Sequence, residues 1–181
     1  MRNDTFKKDL FRYYGEKGET LFDRLLRPME LKYLYVLRRL QSDPSILAKL
    51  YYKVRLRQRS KRTQIQIPAK ARIGEGFYIG HRGRIIINPN AVLGKNINIA
   101  TGVTIGQEIR GSRKGAPTIG DKCWIGTNAV IVGKITIGND VLIAPLSFVN
   151  TDVPDHSVVT GNPARIIPKE YATDRYIEHT V

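Results

Sequence analysis

Apolar, mostly β-branched residues recur every six positions through the second two thirds of the chain. They are Ile73, Ile79, Ile87, Leu93, Ile99 and Ile105, then Ile119, Ile125, Ile131, Ile137, Ile143 and Val149. A period of six is neither that of an amphipathic helix nor that of a half-buried strand. It marks a parallel β-helix, in which each six-residue unit is one short strand plus a turn and three units, roughly 18 residues, close a triangular coil. The recurring aliphatic side chain points into a narrow prism. Most are followed by Gly, Ala or Asn, as in Ile73-Gly74, Leu93-Gly94, Ile99-Ala100, Ile119-Gly120, Ile125-Gly126 and Ile143-Ala144. Small residues relieve the tight backbone of each corner. Four positions after many of the aliphatics sits a small or β-branched residue: Ala91, Val103, Cys123, Ala129, Val141 and Ser147. Stacked coils then bury one continuous stripe. The expected fold is mainly β, a left-handed parallel β-helix built from hexapeptide repeats with an N-terminal α-helical segment.

The rhythm slips twice. Ile79 to Ile87 spans eight residues, a two-residue insertion next to His81. Ile105 to Ile119 spans fourteen, and the excess lies in 107–116, a polar run that must leave the prism as an exposed loop. Loops on rigid repeats often carry function.

Residues 5–60 read as helical, with apolar spacings of three and four at Phe6, Leu10, Phe11 and Tyr14 and at Leu21, Leu25, Leu26 and Met29. Helices are expected near 5–14, 19–40 and 44–58. Gly15 and Gly18 end the first, and Asp43-Pro44-Ser45 starts the last. The division expected is a helical region at 1–62, a β-helix domain at 63–168 with its loop at 107–116, and a tail at 169–181.

The 181 residues suffice for one domain with its own core and a small appendage. The net charge of +14 is uneven: residues 1–62 hold 17 Lys/Arg against 7 Asp/Glu. Such an excess favours an anionic partner. It is densest in the aromatic stretch Lys49–Arg62, which is either a solvated helix end or a patch for an anionic membrane or a lipid-linked glycan. No helix-turn-helix, RNA-binding or zinc pattern accompanies it, so nucleic acid is not the expected partner. Cys123 is the only cysteine, which rules out a disulfide within the chain and fits a cytoplasmic setting. No run of about 18 apolar residues would span a membrane. Met1 to Leu10 carries Arg2, Asp4, Lys7, Lys8 and Asp9 and lacks the apolar region of a secretory signal.

Several segments together resemble the hexapeptide-repeat acyltransferases over about 64–168. They are the stretch Ile73 to His81, Gly102-Val103-Thr104-Ile105-Gly106, Pro117 to Asp121, Trp124 to Ala129, and the closing Val153 to Ile166. The likeness is to serine acetyltransferases and to their relatives in capsule and exopolysaccharide clusters. It implies acetyl-CoA as cosubstrate, O-acetyl transfer, and a homotrimer with active sites between subunits. Two departures favour the glycan-modifying relatives. Gln66 stands fifteen residues before His81, where serine acetyltransferases carry an Asp, and Arg113 to Pro117 holds no second His. The expected acceptor is therefore a sugar hydroxyl, with serine as the alternative. A non-enzymatic scaffold or membrane-binding protein is the alternative of another class.

Acetyl transfer needs a base, oxyanion donors and aligned substrates. Of the three histidines, His81 matches the family base and lies at a widened corner. His156 reads as structural, and His179 as part of a disordered end. A backbone carbonyl, Gln66, Glu75 or Asn98 would orient His81, and backbone N–H groups would hold the oxyanion. Cys123 reads as buried core, which favours direct transfer over an acetyl-enzyme. The resemblance places CoA near Gly126, Thr127 and Ala144, with Arg165 and Lys169 at its phosphates. Gln66, Asn98, Arg110, Arg113 and Lys114 are the candidate acceptor residues, and the loop cations would alternatively hold a CoA phosphate. A metal enzyme on this scaffold needs about three His ligands, and the coils hold only His81 before the closing turn, so no metal is expected.

Overall fold

A computed structural model describes residues 4–181. Met1 to Asn3, the start of the stretch read above as lacking a secretory signal, lie outside the described residues. From Ile65 onward the chain winds about five times through three sheet faces. The first face stacks β1 (Ile65–Gln66), β4 (Ile85–Ile87), β7 (Thr104–Gly106), β10 (Val130–Val132) and β13 (Phe148–Val149). The second stacks β2 (Arg72–Ile73), β5 (Val92–Leu93), β8 (Thr118–Ile119) and β11 (Thr136–Ile137). The third stacks β3 (Tyr78–Ile79), β6 (Asn98–Ile99), β9 (Trp124–Ile125), β12 (Val141–Ile143) and β14 (Ser157–Thr160). All these pairings are parallel, and β15 (Arg165–Pro168) then returns antiparallel to β14. The left-handed parallel β-helix with an N-terminal helical segment is the fold the period-six pattern predicts.

The register explains the pattern. On the third face Ile79, Ile99, Ile125 and Ile143 pair in line, and on the first Ile87, Ile105, Ile131 and Val149 do the same. All eight are at most 1% exposed, so each stands wholly inside the prism. Full burial of such a side chain is worth about 1.5–3 kcal/mol. One corner column, Gly74, Gly94, Gly120 and Gly138, shows why glycine recurs. A Cβ on Gly74 would lie 2.5 Å from the Gly94 carbonyl oxygen, and one on Gly94 would lie 2.7 Å from that of Gly120.

Four helices precede the coils: α1 (Asp4–Tyr14), α2 (Leu21–Leu25), α3 (Met29–Gln41) and α4 (Ile46–Thr63), with a single 3-10 turn at Gly15–Lys17. The helix expected over 19–40 is two helices. Thr20 and Asp23 form a capping box that starts α2. Pro28 then removes an N–H and disfavours a helical Arg27, so the chain restarts at Met29. At the other end α4 outruns the expected stop at 58. Lys61 and Arg62 suit the negative end of a helix, and the helix ends where Gln64 takes φ of 62°.

The first coil has no preceding coil to satisfy its backbone, and the helices supply side chains instead. Leu31, Leu34 and Leu37 of α3 join the apolar core. The Tyr33 hydroxyl accepts from the Ile67 N–H at 2.9 Å and donates to its carbonyl at 3.1 Å. The Tyr13 hydroxyl does the same for Ile79, at 2.9 and 3.0 Å. Arg38 donates to the carbonyls of Ile73 and Gly74, while Asp9 accepts from the Phe77 N–H at 2.9 Å. Arg38 and Asp9 are themselves paired through two bonds of 2.7 and 3.1 Å. Buried backbone groups thus all but require partners, and side chains of α1 and α3 provide them.

The C-terminal segment is ordered, contrary to the expectation for His179. It runs back down the third face. The Asp140 carboxylate accepts from the Ala172 and Thr173 N–H groups at 3.0 and 3.1 Å, from the Thr173 hydroxyl, and contacts His156 Nδ1 at 2.9 Å. Burial works against ionising Asp140, but these hydrogen bonds prevail and hold its pKa below the usual carboxylate value. His156 serves here as a clamp on the segment. Farther along, Asn96 exchanges two hydrogen bonds of 2.9 Å with the backbone of Val181.

Candidate active site

The residue before each inward isoleucine on the third face points outward. Tyr78, Asn98 and Trp124 occupy that slot in successive coils and pair in register. They floor a cleft of about 610 Å³, walled by Arg12 and Tyr13 of α1 and by the C-terminal segment from Arg175 to His179. Aromatic contacts fix the walls: Tyr13 lies 4.4 Å from Tyr78, and Tyr176 lies 5.1 Å from Trp124, centroid to centroid. His179 sits edge-on to Phe11 at 5.9 Å.

His81 lines this cleft from the corner between β3 and β4 and is exposed. The extra residues of the first slip widen that corner, and Gly83, with φ of 148°, turns the chain back so that its N–H reaches the Thr63 carbonyl at 3.0 Å. Above His81 the same corner carries Gly80, Ala100, Gly126 and Ala144 in successive coils, linked by backbone bonds of 2.8–3.1 Å. With strands about 4.8 Å apart, this column of small residues climbs some 15 Å from His81. A second depression, of about 700 Å³ beside α3, is slightly larger, but its lining holds no His, Asp, Glu or Cys that could take a proton.

The structure brings some predicted residues together and not others. His81, Asn98 and Thr127 share the cleft. Gly126 and Ala144 stand on its corner column, and Gly126 is also packed so tightly that a Cβ would meet Pro145 N at 2.6 Å. Arg165 and Lys169 are exposed near the last coil, far up the molecule from His81. Gln66 lies elsewhere, in a basic depression with Lys61 and Arg84. Arg110, Arg113 and Lys114 are exposed on the loop between β7 and β8, at a different corner, where Glu108 and Gly115 pair across its base.

No candidate orients His81 within one chain. Asn98 is taken by Arg12 and by the Tyr176 carbonyl. Glu75 is taken by Lys8 at 2.8 Å and Lys95 at 3.1 Å. Sequence reasoning missed Arg12, Tyr13, Trp124 and Tyr176. Trp124 was detectable, because it occupies the same outward slot as Asn98.

Cys123 is fully buried, its Sγ 3.2 Å from the Gly138 carbonyl oxygen. Burial pushes its pKa up to about 12, which leaves almost no thiolate at neutral pH. Iodoacetamide at pH 8 should therefore label the folded protein negligibly and label it fully once unfolded by guanidinium; intact mass reads both. Among the described residues, no group of three or more His, Cys, Asp or Glu is placed to hold a metal ion.

The coils, their corner histidine and the column above it define a hexapeptide-repeat β-helix of the transferase type. Residues 116–151 match the bacterial transferase hexapeptide (six repeats) family. The chain is 37% identical over 121 residues to a serine acetyltransferase of Bacillus pumilus, covering 66% of this chain and 56% of that protein. It superposes on the Neisseria gonorrhoeae serine acetyltransferase in complex with serine at a TM-score of 0.73 and 31% identity, covering 92% of this chain and 69% of that one. It superposes on the Brucella abortus serine acetyltransferase in complex with coenzyme A at a TM-score of 0.77 and 27% identity, covering 92% and 67%. The chain belongs to the hexapeptide-repeat acetyltransferase family. It spans little more than half the length of the curated Bacillus pumilus relative.

These relatives overturn the expected sugar acceptor. The matching proteins are serine acetyltransferases, and neither a capsule nor an exopolysaccharide enzyme is supported. The likeness to serine acetyltransferases outweighs the departures at Gln66 and at Arg113 to Pro117; within one chain Gln66 lies in a separate depression and the loop stands at another corner.

Proposed function

We propose that the chain is an acetyl-CoA-dependent O-acetyltransferase whose acceptor is the hydroxyl of serine. The observation that carries this is the position of His81. Its imidazole stands in the cleft, at the foot of a column of small residues, in a chain similar to enzymes crystallised with serine and with coenzyme A. His81 takes the serine Oγ proton as the oxygen attacks the thioester carbon. The tetrahedral oxyanion is held by backbone N–H groups at the corner, and its collapse breaks the C–S bond. The CoA thiolate then recovers the proton from the imidazolium. Thr127, Gly126 and Ala144 allow the pantetheine arm to lie close along the corner, with Arg165 and Lys169 toward its phosphates. The buried thiol of Cys123 supports direct transfer.

Among the described residues His81 has no orienting partner in its own chain, and the loop cations stand at a different corner from its cleft. Both fit a homotrimer in which Arg110, Arg113 and Lys114 of one subunit approach the His81 corner of the next. The purified protein should release CoA with serine and have three times the 20.5 kDa chain mass. CoA release with sugars but not serine, or a monomeric mass in an active preparation, would refute the respective half of this reading.

We also infer a peripheral contact with an anionic bilayer. No helix of the described residues is long and apolar enough to cross a membrane. On α4, however, Ile46, Leu47, Leu50 and Val54 stand in solvent along the N-terminal half of one stripe. Arg57 and Lys61 continue that stripe, and the helix contains no acidic residue. Two such helices repel each other, whereas anionic lipid satisfies both the apolar and the cationic halves. The protein should sediment with phosphatidylglycerol vesicles and not with phosphatidylcholine vesicles, and the Leu47→Glu/Leu50→Glu variant should not. Equal sedimentation with both lipids, or with neither, contradicts this.

A further inference from the structure

Arg12 is a buried cation without an anion. Its side chain is 5% exposed, and among the described residues it forms no ion pair. Its partners are neutral: Nη2 donates to Asn98 Oδ1 at 2.5 Å, and Nε donates to the Glu178 carbonyl at 2.9 Å. Nη1 is closed off from solvent and has no acceptor. Buried charges are ordinarily paired, because removing a charge from water costs several kcal/mol that neutral acceptors only partly offset. The other buried cation among the described residues, Arg38, obeys that rule through Asp9. Arg12 differs in lining the cleft that holds His81.

We propose that Arg12, supported by Asn98, is the anchor for the carboxylate of the acceptor. This rests on the serine reading and deepens it. A carboxylate entering beside His81 would bind end-on across Nη1 and Nη2 and so pair the free nitrogen, and charge-assisted bonds are about twice as strong as neutral ones. It would thereby hold the amino acid by its α-carboxylate with the hydroxyl toward the imidazole. The C-terminal segment, whose Tyr176 and Glu178 carbonyls occupy Asn98 and Arg12, keeps those two bonds. The phosphates of CoA do not compete for this role, since the basic residues proposed for them stand at the opposite end of the coils.

The experiment compares serine with serinamide, which keeps the hydroxyl and amine and lacks the carboxylate. In the wild-type protein serine should have the lower KM. Arg12→Gln should raise the KM for serine roughly 10- to 100-fold, leave that for serinamide and for acetyl-CoA unchanged, and alter kcat much less. Arg12→Lys should recover part of the loss. Equal KM values for serine and serinamide in the wild type, or an equal rise in both, would overturn the anchor. Thermal melting in sodium acetate against sodium chloride gives a readout without turnover. Acetate should raise the melting temperature of the wild type and not of Arg12→Gln. An acetate effect that is absent, or identical in both, likewise overturns the anchor. If serine supports no CoA release while this acetate difference persists, the serine reading fails and the anion site stands.

Discussion

Arg38→Ala is expected to cost about 3–5 kcal/mol of stability, because it strips the partner from a buried ion pair. Asp9 is wholly buried, and burial already pushes its carboxyl pKa up against the pull of Arg38. Without the guanidinium the acid must remain protonated or unpaired. The same substitution orphans the Ile73 and Gly74 carbonyls at the open edge of the first coil. For a chain of this size the melting temperature should fall by roughly 6–20 °C, as read by calorimetry. The double variant Asp9→Asn/Arg38→Met should recover part of the loss, since the amide can still accept from the Phe77 N–H. A drop of only one or two degrees in Arg38→Ala would show that the coil edge does not depend on this pair.

The second large effect is catalytic. His81→Ala is expected to lower kcat with serine by roughly 10²- to 10⁴-fold, the range for loss of a general base. Its melting temperature should stay within a degree or two of wild type, because the side chain is exposed and, among the described residues, has no hydrogen-bond partner. CoA release followed by a thiol reagent measures the first, and thermal melting the second. Turnover close to wild type would remove His81 from the reaction and pass the role to His179, the other histidine that lines the cleft.

The prism was legible because its chemistry is local. Each isoleucine faces inward for the same reason as the one six residues earlier, so Ile79, Ile99 and Ile125 could be read from spacing alone. The corner with His81 was legible because an insertion interrupts that spacing. The remainder of the cleft was not. Arg12 meets Asn98 across 86 positions and the Glu178 carbonyl across 166, and no periodicity links a helix at one end of the chain with a segment at the other. The split at Pro28 was available in principle, but apolar spacing on both sides of it concealed the break. The sugar acceptor was misread for a related cause. Gln66 and the stretch Arg113 to Pro117 were given the deciding weight for the acceptor, whereas within one chain the cleft is assembled from α1, the third face and the C-terminal segment.

The side chains that stand in for a missing coil have a consequence beyond stability. A stack of parallel coils is a one-dimensional crystal: each exposed edge templates the next layer, from the same molecule or from another. Here both growth faces on the third face are poisoned. At one end Tyr13 and Asp9 occupy the hydrogen-bonding groups of Ile79 and Phe77; at the other β15 presents a strand of reversed polarity. The number of layers is therefore free to vary without inviting fibres, provided both terminators remain. Inserting or deleting one whole coil should be tolerated more readily than removing Tyr13.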